Sequence, residues 1–168
     1  MKRCNFKGKH SILILFSILV AISVVPVRAE EEYHVIATLE PSNPQGFGGF
    51  GGDIALSGDL LLVGEWWGHV EELGCAGLAY LYDTDWNLLS TLQAPEPDLN
   101  ARFGRSVDLH GDMMIIGSPM HNAEGLTDVG EAYVFDSDGS LLFTLRSPDP
   151  QKRGYYGMEV ALVKDFIL

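Results

Sequence analysis

Beyond residue 29 this 168-residue chain has a single cysteine, Cys75, and only two lysines, Lys152 and Lys164. A lone cysteine cannot close an internal disulfide, so packed sheets rather than covalent staples must supply stability. The same stretch sets 6 basic residues against 23 acidic ones. Phosphate recognition needs clustered Lys and Arg, so the imbalance excludes nucleic acid as a partner. It suits divalent cations, basic partners or a salty habitat. No later run approaches the roughly 20 apolar residues that cross a bilayer. Catalytic and cofactor motifs are equally scarce. The chain has no Gly-x-Ser-x-Gly elbow, no His-x-x-x-His spacing, no paired zinc-type cysteines and no glycine loop opening a helix. Phe47-Gly48-Gly49-Phe50-Gly51-Gly52 is glycine-rich but leads into a strand.

What is present begins with a secretory signal pattern. Lys2 to Lys9 is basic, Ile12 to Val25 is apolar, Pro26 breaks the run, and Val27-Arg28-Ala29 offers a cleavage site. The pattern predicts removal of residues 1–29, with no membrane span left after cleavage.

The rest is a repeat. Phe50-Gly51 recurs as Phe103-Gly104 and as Tyr156-Gly157, a period of 53 residues. Gly58-Asp59 maps onto Gly111-Asp112, Gly64 onto Gly117, and Gly77-Leu78-Ala79-Tyr80 onto Gly130-Glu131-Ala132-Tyr133. Residues 50–97 align without a gap on 103–150 with 19 identities in 48 positions. In the second copy, four strands are predicted at about 106–109, 113–116, 132–135 and 141–145. His110-Gly111-Asp112 and Asp136-Ser137-Asp138-Gly139 are tight turns between them. The apolar runs Leu60–Val63 and Met113–Ile116 lack alternation, as expected of strands buried on both faces. Phe50 and Phe103 are expected to anchor the core between units. Four antiparallel strands at this period define an all-β fold, a β-propeller built of four-stranded blades in an incomplete ring.

The segmentation is a signal at 1–29, a blade-closing strand at 30–45, blade 1 at 46–98, blade 2 at 99–151, and a truncated blade 3 at 152–168. Residues 34–44 align with 87–97 and are expected to form the fourth strand of a blade whose other strands are absent. The remaining blades of a longer chain are then a required partner, because an open stack leaves a blade face wet.

These motifs resemble the FG-GAP repeats of the integrin α-subunit propeller and of secreted bacterial and archaeal proteins. The best copy comprises Phe103-Gly104, Gly111-Asp112, Ile116-Gly117-Ser118-Pro119 and Gly130-Glu131-Ala132-Tyr133-Val134-Phe135. The first copy reads Gly64-Glu65-Trp66 at the Gly-Ala-Pro position, so its following loop is expected to be shaped differently. The resemblance implies an adhesion or ligand-binding platform. Some family members bind calcium through an Asp-x-Asp-x-Asp-Gly loop between the first two strands. That loop is absent, so no cofactor is expected and a calcium role does not carry over.

Function is therefore sought in loops that do not repeat. Glu65, Trp66, Trp67, His69, Glu71 and Glu72 follow the second strand of blade 1, and exposed paired Trp beside carboxylates suits a glycan or peptide. His121, Asn122, Glu124 and Asp128 emerge on the same face from blade 2. Asp83 and Asp85, with Asp136 and Asp138, are weak metal candidates, the simpler reading being Asx-stabilised hairpins. The expected role is non-catalytic extracellular recognition or adhesion, with a protein or glycan as partner. The alternatives are a propeller-scaffold enzyme (lyase, glycosidase or quinone-dependent dehydrogenase) with its site in other blades, or a structural envelope component.

Overall fold

The computed structural model describes residues 34–41, 48–163 and 166–167. The expected signal and part of the 30–45 segment lie outside the described residues. The unit Ile36–Leu168 is considered below.

Gly58 and Gly111, each with φ of 58°, let strand pairs turn back on themselves at the Gly-Asp positions. Blade 1 contains β1 (Phe50–Ser57), β2 (Leu60–Glu65), β3 (Leu78–Asp83) and β4 (Leu88–Leu92), antiparallel in that order. Blade 2 repeats this with β5 (Val107–His110), β6 (Met113–Ser118), β7 (Glu131–Asp136) and β8 (Leu141–Arg146). A short hairpin, β9 (Leu162–Val163) with β10 (Phe166–Ile167), begins the third unit. No helix is found among the described residues, and the ring is unclosed. The inner strands β1 and β5 lie side by side.

The core repeats with the sequence. Between the two blades, Leu62, Ala79, Leu81 and Leu92 of blade 1 meet Phe103, Val107, Leu109, Met114, Ile116, Tyr133 and Phe135 of blade 2. Fully burying each large side chain contributes about 1.5–3 kcal/mol. Phe103 is fully buried and packs edge-on against Phe135, the ring centroids 6.1 Å apart. On the far side of blade 2, Ile115, Ala132, Val134 and Leu145 pack against Tyr156, Val160 and Leu162. These are the same positions one copy later.

The near face of blade 1 is built alike, but its cover is slight. Leu39 packs against Val63, Tyr80 and Tyr82, with Phe50 alongside. Leu39 is the repeat equivalent of Leu92. It occupies the place against blade 1 that Leu92 occupies against blade 2. Residues 36–41 nevertheless form no strand, in contrast to the expected fourth strand. A ladder needs a neighbouring strand, and none pairs with this segment among the described residues. Ile54 and Leu56 on the same face are 58% and 68% exposed, whereas their equivalents Val107 and Leu109 are 5% and 4% exposed.

Glycine makes the blade junction possible. A Cβ on Gly64 would overlap the carbonyl oxygen of Gly104, and one on Gly117 would overlap that of Gly157. The Phe-Gly backbone of each unit therefore lies directly on the second strand of the unit before it.

Candidate functional site

The β2–β3 loop, the β6–β7 loop and the links after β4 and β8 share one rim. The amides of Arg102 and Phe103 donate to the carbonyls of Cys75 and Ala76 at 3.1 and 2.9 Å. One copy later, Tyr155 and Tyr156 donate to Asp128 and Val129 at the same distances. Left-handed residues recur with the period as well. Glu71, Cys75, Asn100 and Arg102 are matched by Glu124, Asp128, Arg153 and Tyr155. The two long loops thus have one shape, with Val70 bridging Leu73 and Ala123 bridging Leu126. This overturns the expectation that Glu65-Trp66 reshapes the first loop. Backbone contacts set the turn, so the side chains at 65 and 66 can vary without altering it.

Their side chains do set the local chemistry. Glu65 was expected on an exposed platform, yet it closes β2 opposite Leu78 and is 1% exposed. Its Oε2 accepts the Tyr80 hydroxyl at 2.6 Å, while Oε1 is buried without a hydrogen-bond partner. Burial pushes the carboxyl above its ordinary range, against the opposing pull of the Tyr80 hydrogen bond and His69. Trp66 is half-buried, and its ring lies 5.2 Å from the Arg102 guanidinium and 5.4 Å from that of Arg105. Both cations come from the next unit, so Trp66 ties the blades together. Trp67 sits 4.5 Å from Trp66 and is 38% exposed. His69, Glu71 and Glu72, further along the same loop, are exposed.

In blade 2, Asn122 is exposed and donates to Asp98 at 2.5 Å, while its side-chain oxygen accepts the Asp128 amide at 3.1 Å. Asp128 is half-buried, with Arg153 at 4.0 Å. His121 was also expected on the rim surface, but it is buried beside Glu131, its Nε2 3.8 Å from the carboxylate. His121 closes the turn that follows β6, its amide donating to the Ser118 carbonyl at 3.2 Å.

Glu131 was not singled out in the sequence. It is buried, and it accepts Tyr133 Oη at 2.8 Å and Arg146 Nε at 2.6 Å. Burial and the Glu131 carboxylate both push the Tyr133 phenol well above its usual range. The Arg146 guanidinium is likewise raised, by its own hydrogen bond to Glu131. A signal for this cluster existed. At three aligned positions the first copy has Gly68, Leu78 and Gln93, where the second has His121, Glu131 and Arg146.

The aspartate pairs serve turns. Asp83 Oδ1 accepts the amides of Asp85 and Asn87 at 2.9 and 2.8 Å, and Asn87 holds the Asp83 carboxyl below its usual range. Asp136 Oδ1 accepts Asp138 and Ser140 at 3.1 and 2.8 Å. Neither Asp85 nor Asp138 is brought to a third ligand: among the described residues no cluster of three or more potential metal ligands converges.

Against known families, residues 86–135 match the model of the FG-GAP repeat. The chain carries an FG-GAP repeat. Internal alignment extends the FG-GAP pattern to residues 50–97, and the two four-stranded sheets are its propeller blades. No curated protein matches the chain. In this FG-GAP frame, Phe103-Gly104 and Gly117 are the junction between blades, and the rim loops carry the variable chemistry. No helix among the described residues is long and apolar enough to cross a membrane.

Proposed function

We propose that this FG-GAP repeat protein is secreted and serves non-catalytic extracellular recognition or adhesion, taking a protein or glycan on the rim of its blades. The carrying observation is Trp67, exposed and packed at a 45° tilt against a Trp66 that two arginines of the next blade hold in place. An aromatic surface fixed before binding loses little entropy on contact. His69, Glu71 and Glu72 add exposed hydrogen-bonding groups on the same loop. The basic and apolar leader at residues 2–25 supports export, and Ile54 and Leu56 support further blades of this repeat as the cover for blade 1.

The test is binding of the labelled full chain to an array of glycans and matrix proteins. Trp67→Ala is expected to weaken binding by about tenfold or more while leaving the unfolding midpoint unchanged. Undiminished binding by that variant would remove the assignment of the rim. N-terminal sequencing of exported protein should begin at Glu30.

A further inference from the structure

The blade-2 loops copy the backbone of blade 1, so a site special to blade 2 must lie where its side chains depart from the repeat. Four such departures converge. His121, Glu131, Arg146 and Glu96 stand where the preceding copy has Gly68, Leu78, Gln93 and Asn43. All four line one pocket of about 150 Å³, together with Tyr133, Thr144, Leu141 and Pro95. The β7–β8 register places Glu131 opposite Arg146 and Tyr133 opposite Thr144, so strand pairing itself assembles the polar wall. We propose that this pocket binds a neutral polyol, a single sugar unit at the end of a glycan.

The chemistry of the wall selects the ligand. Glu131 is held by Tyr133 and by Arg146 Nε, while the Arg146 side chain stays 65% exposed. The outer guanidinium N–H groups and the Thr144 hydroxyl are then donors, and the exposed Glu96 carboxylate is an acceptor. An anion at Arg146 would face Glu96 and Glu131, and a monocation at Glu96 would face Arg146. A vicinal diol gives and accepts hydrogen bonds on adjacent atoms, so it satisfies both. His121 points the same way. Its Nδ1 is buried without a partner, and its Nε2 stands 3.8 Å from Glu131, too far for a direct hydrogen bond. A hydroxyl or water reaching Nδ1 would satisfy that orphaned group. Pro95 and Leu141 supply apolar surface against which a sugar ring can rest. The pocket falls below the roughly 300–1,000 Å³ of whole-ligand sites, so it admits one ring of a larger partner.

This inference rests on the recognition reading and narrows it to one pocket. The experiment titrates the isotope-labelled full chain with the methyl glycosides of glucose, galactose, mannose and N-acetylglucosamine, following amide resonances. At least one is expected to give saturable shifts centred on Glu96, His121, Thr144 and Arg146. The variant Ala101→Gly/Ser118→Glu/His121→Gly/Glu131→Leu/Arg146→Gln gives blade 2 the blade-1 residues at these positions, including the two glycines that make room for Glu65, and moves the carboxylate for Tyr133 to the position Glu65 occupies. It should keep the wild-type circular dichroism and lose the shifts. Glu96→Ala, on the exposed rim, leaves the buried groups intact and should weaken the titration about tenfold, as expected for one lost charge-assisted hydrogen bond. The proposal is overturned by no saturation with any of the four glycosides, by unchanged affinity in both variants, or by binding of acetate or ammonium alone. Array binding that survives the five-residue variant but is lost in Trp67→Ala would overturn the pocket and leave the recognition reading standing.

Discussion

Asp53 in blade 1 accepts a hydrogen bond from the amide of Val107 in blade 2, at 2.8 Å. One copy later the Ser106 hydroxyl accepts from the amide of Val160 at 3.3 Å. A side chain in or just before the first strand of one unit thus satisfies a backbone donor of the next, a polar seam beside the apolar core. Asp53→Ala leaves that amide unpaired and should cost about 1–3 kcal/mol. Asp53→Ser should recover part of the loss, since the second junction uses Ser. Urea unfolding of the three proteins measures both effects.

Glu65 should make stability depend on pH. Burial holds its folded-state carboxyl above the ordinary value of 4.5, so in this range the folded chain binds the extra proton. Its contribution is full below about pH 4.5 and is lost as pH rises through the elevated folded value. Glu65→Gln is neutral throughout and can still accept the Tyr80 hydroxyl. The wild-type urea midpoint should fall relative to that variant as pH approaches neutrality. A constant difference would show that Glu65 does not titrate upward.

Equivalent residues should differ in cost according to what covers them. Val107→Asn or Leu109→Asn places an amide in the packed junction and should destabilise by roughly 2–5 kcal/mol. Ile54→Asn with Leu56→Asn should change the unfolding free energy by well under half that, because both side chains are largely in water. It should also raise solubility, read by light scattering at increasing concentration.

Close backbone approach makes a similar contrast among glycines. Gly117→Ala would press a methyl group onto the Gly157 carbonyl and should cost roughly 1–3 kcal/mol. Gly111 faces open space and needs only its left-handed φ, which Asn tolerates. Gly111→Asn should therefore leave the thermal midpoint nearly unchanged.

The amino-acid sequence by itself determined the architecture. The β-sheet period, the turn residues and the contacts between neighbouring units are local rules that recur every 53 residues, so Phe103, Gly117 and Leu92 announce their roles through Phe50, Gly64 and Leu39. Even the hairpin roles of Asp83 and Asp136 could be seen, since an Asx turn needs only its own neighbours. The rim chemistry depended on the tertiary structure. Glu65 and Glu131 are both acidic residues near loops, yet each is buried where strand pairing gives it a partner, Glu65 at the Tyr80 hydroxyl of the neighbouring strand and Glu131 opposite Arg146. Trp66 and Trp67 are adjacent in sequence, but Trp66 is the less exposed of the two, because Arg102 and Arg105 of the next unit pack over its ring. Pairings across strands and between blades join residues tens of positions apart. Composition and spacing carry no record of them, and burial then decides which charges meet a partner and which remain open to a ligand.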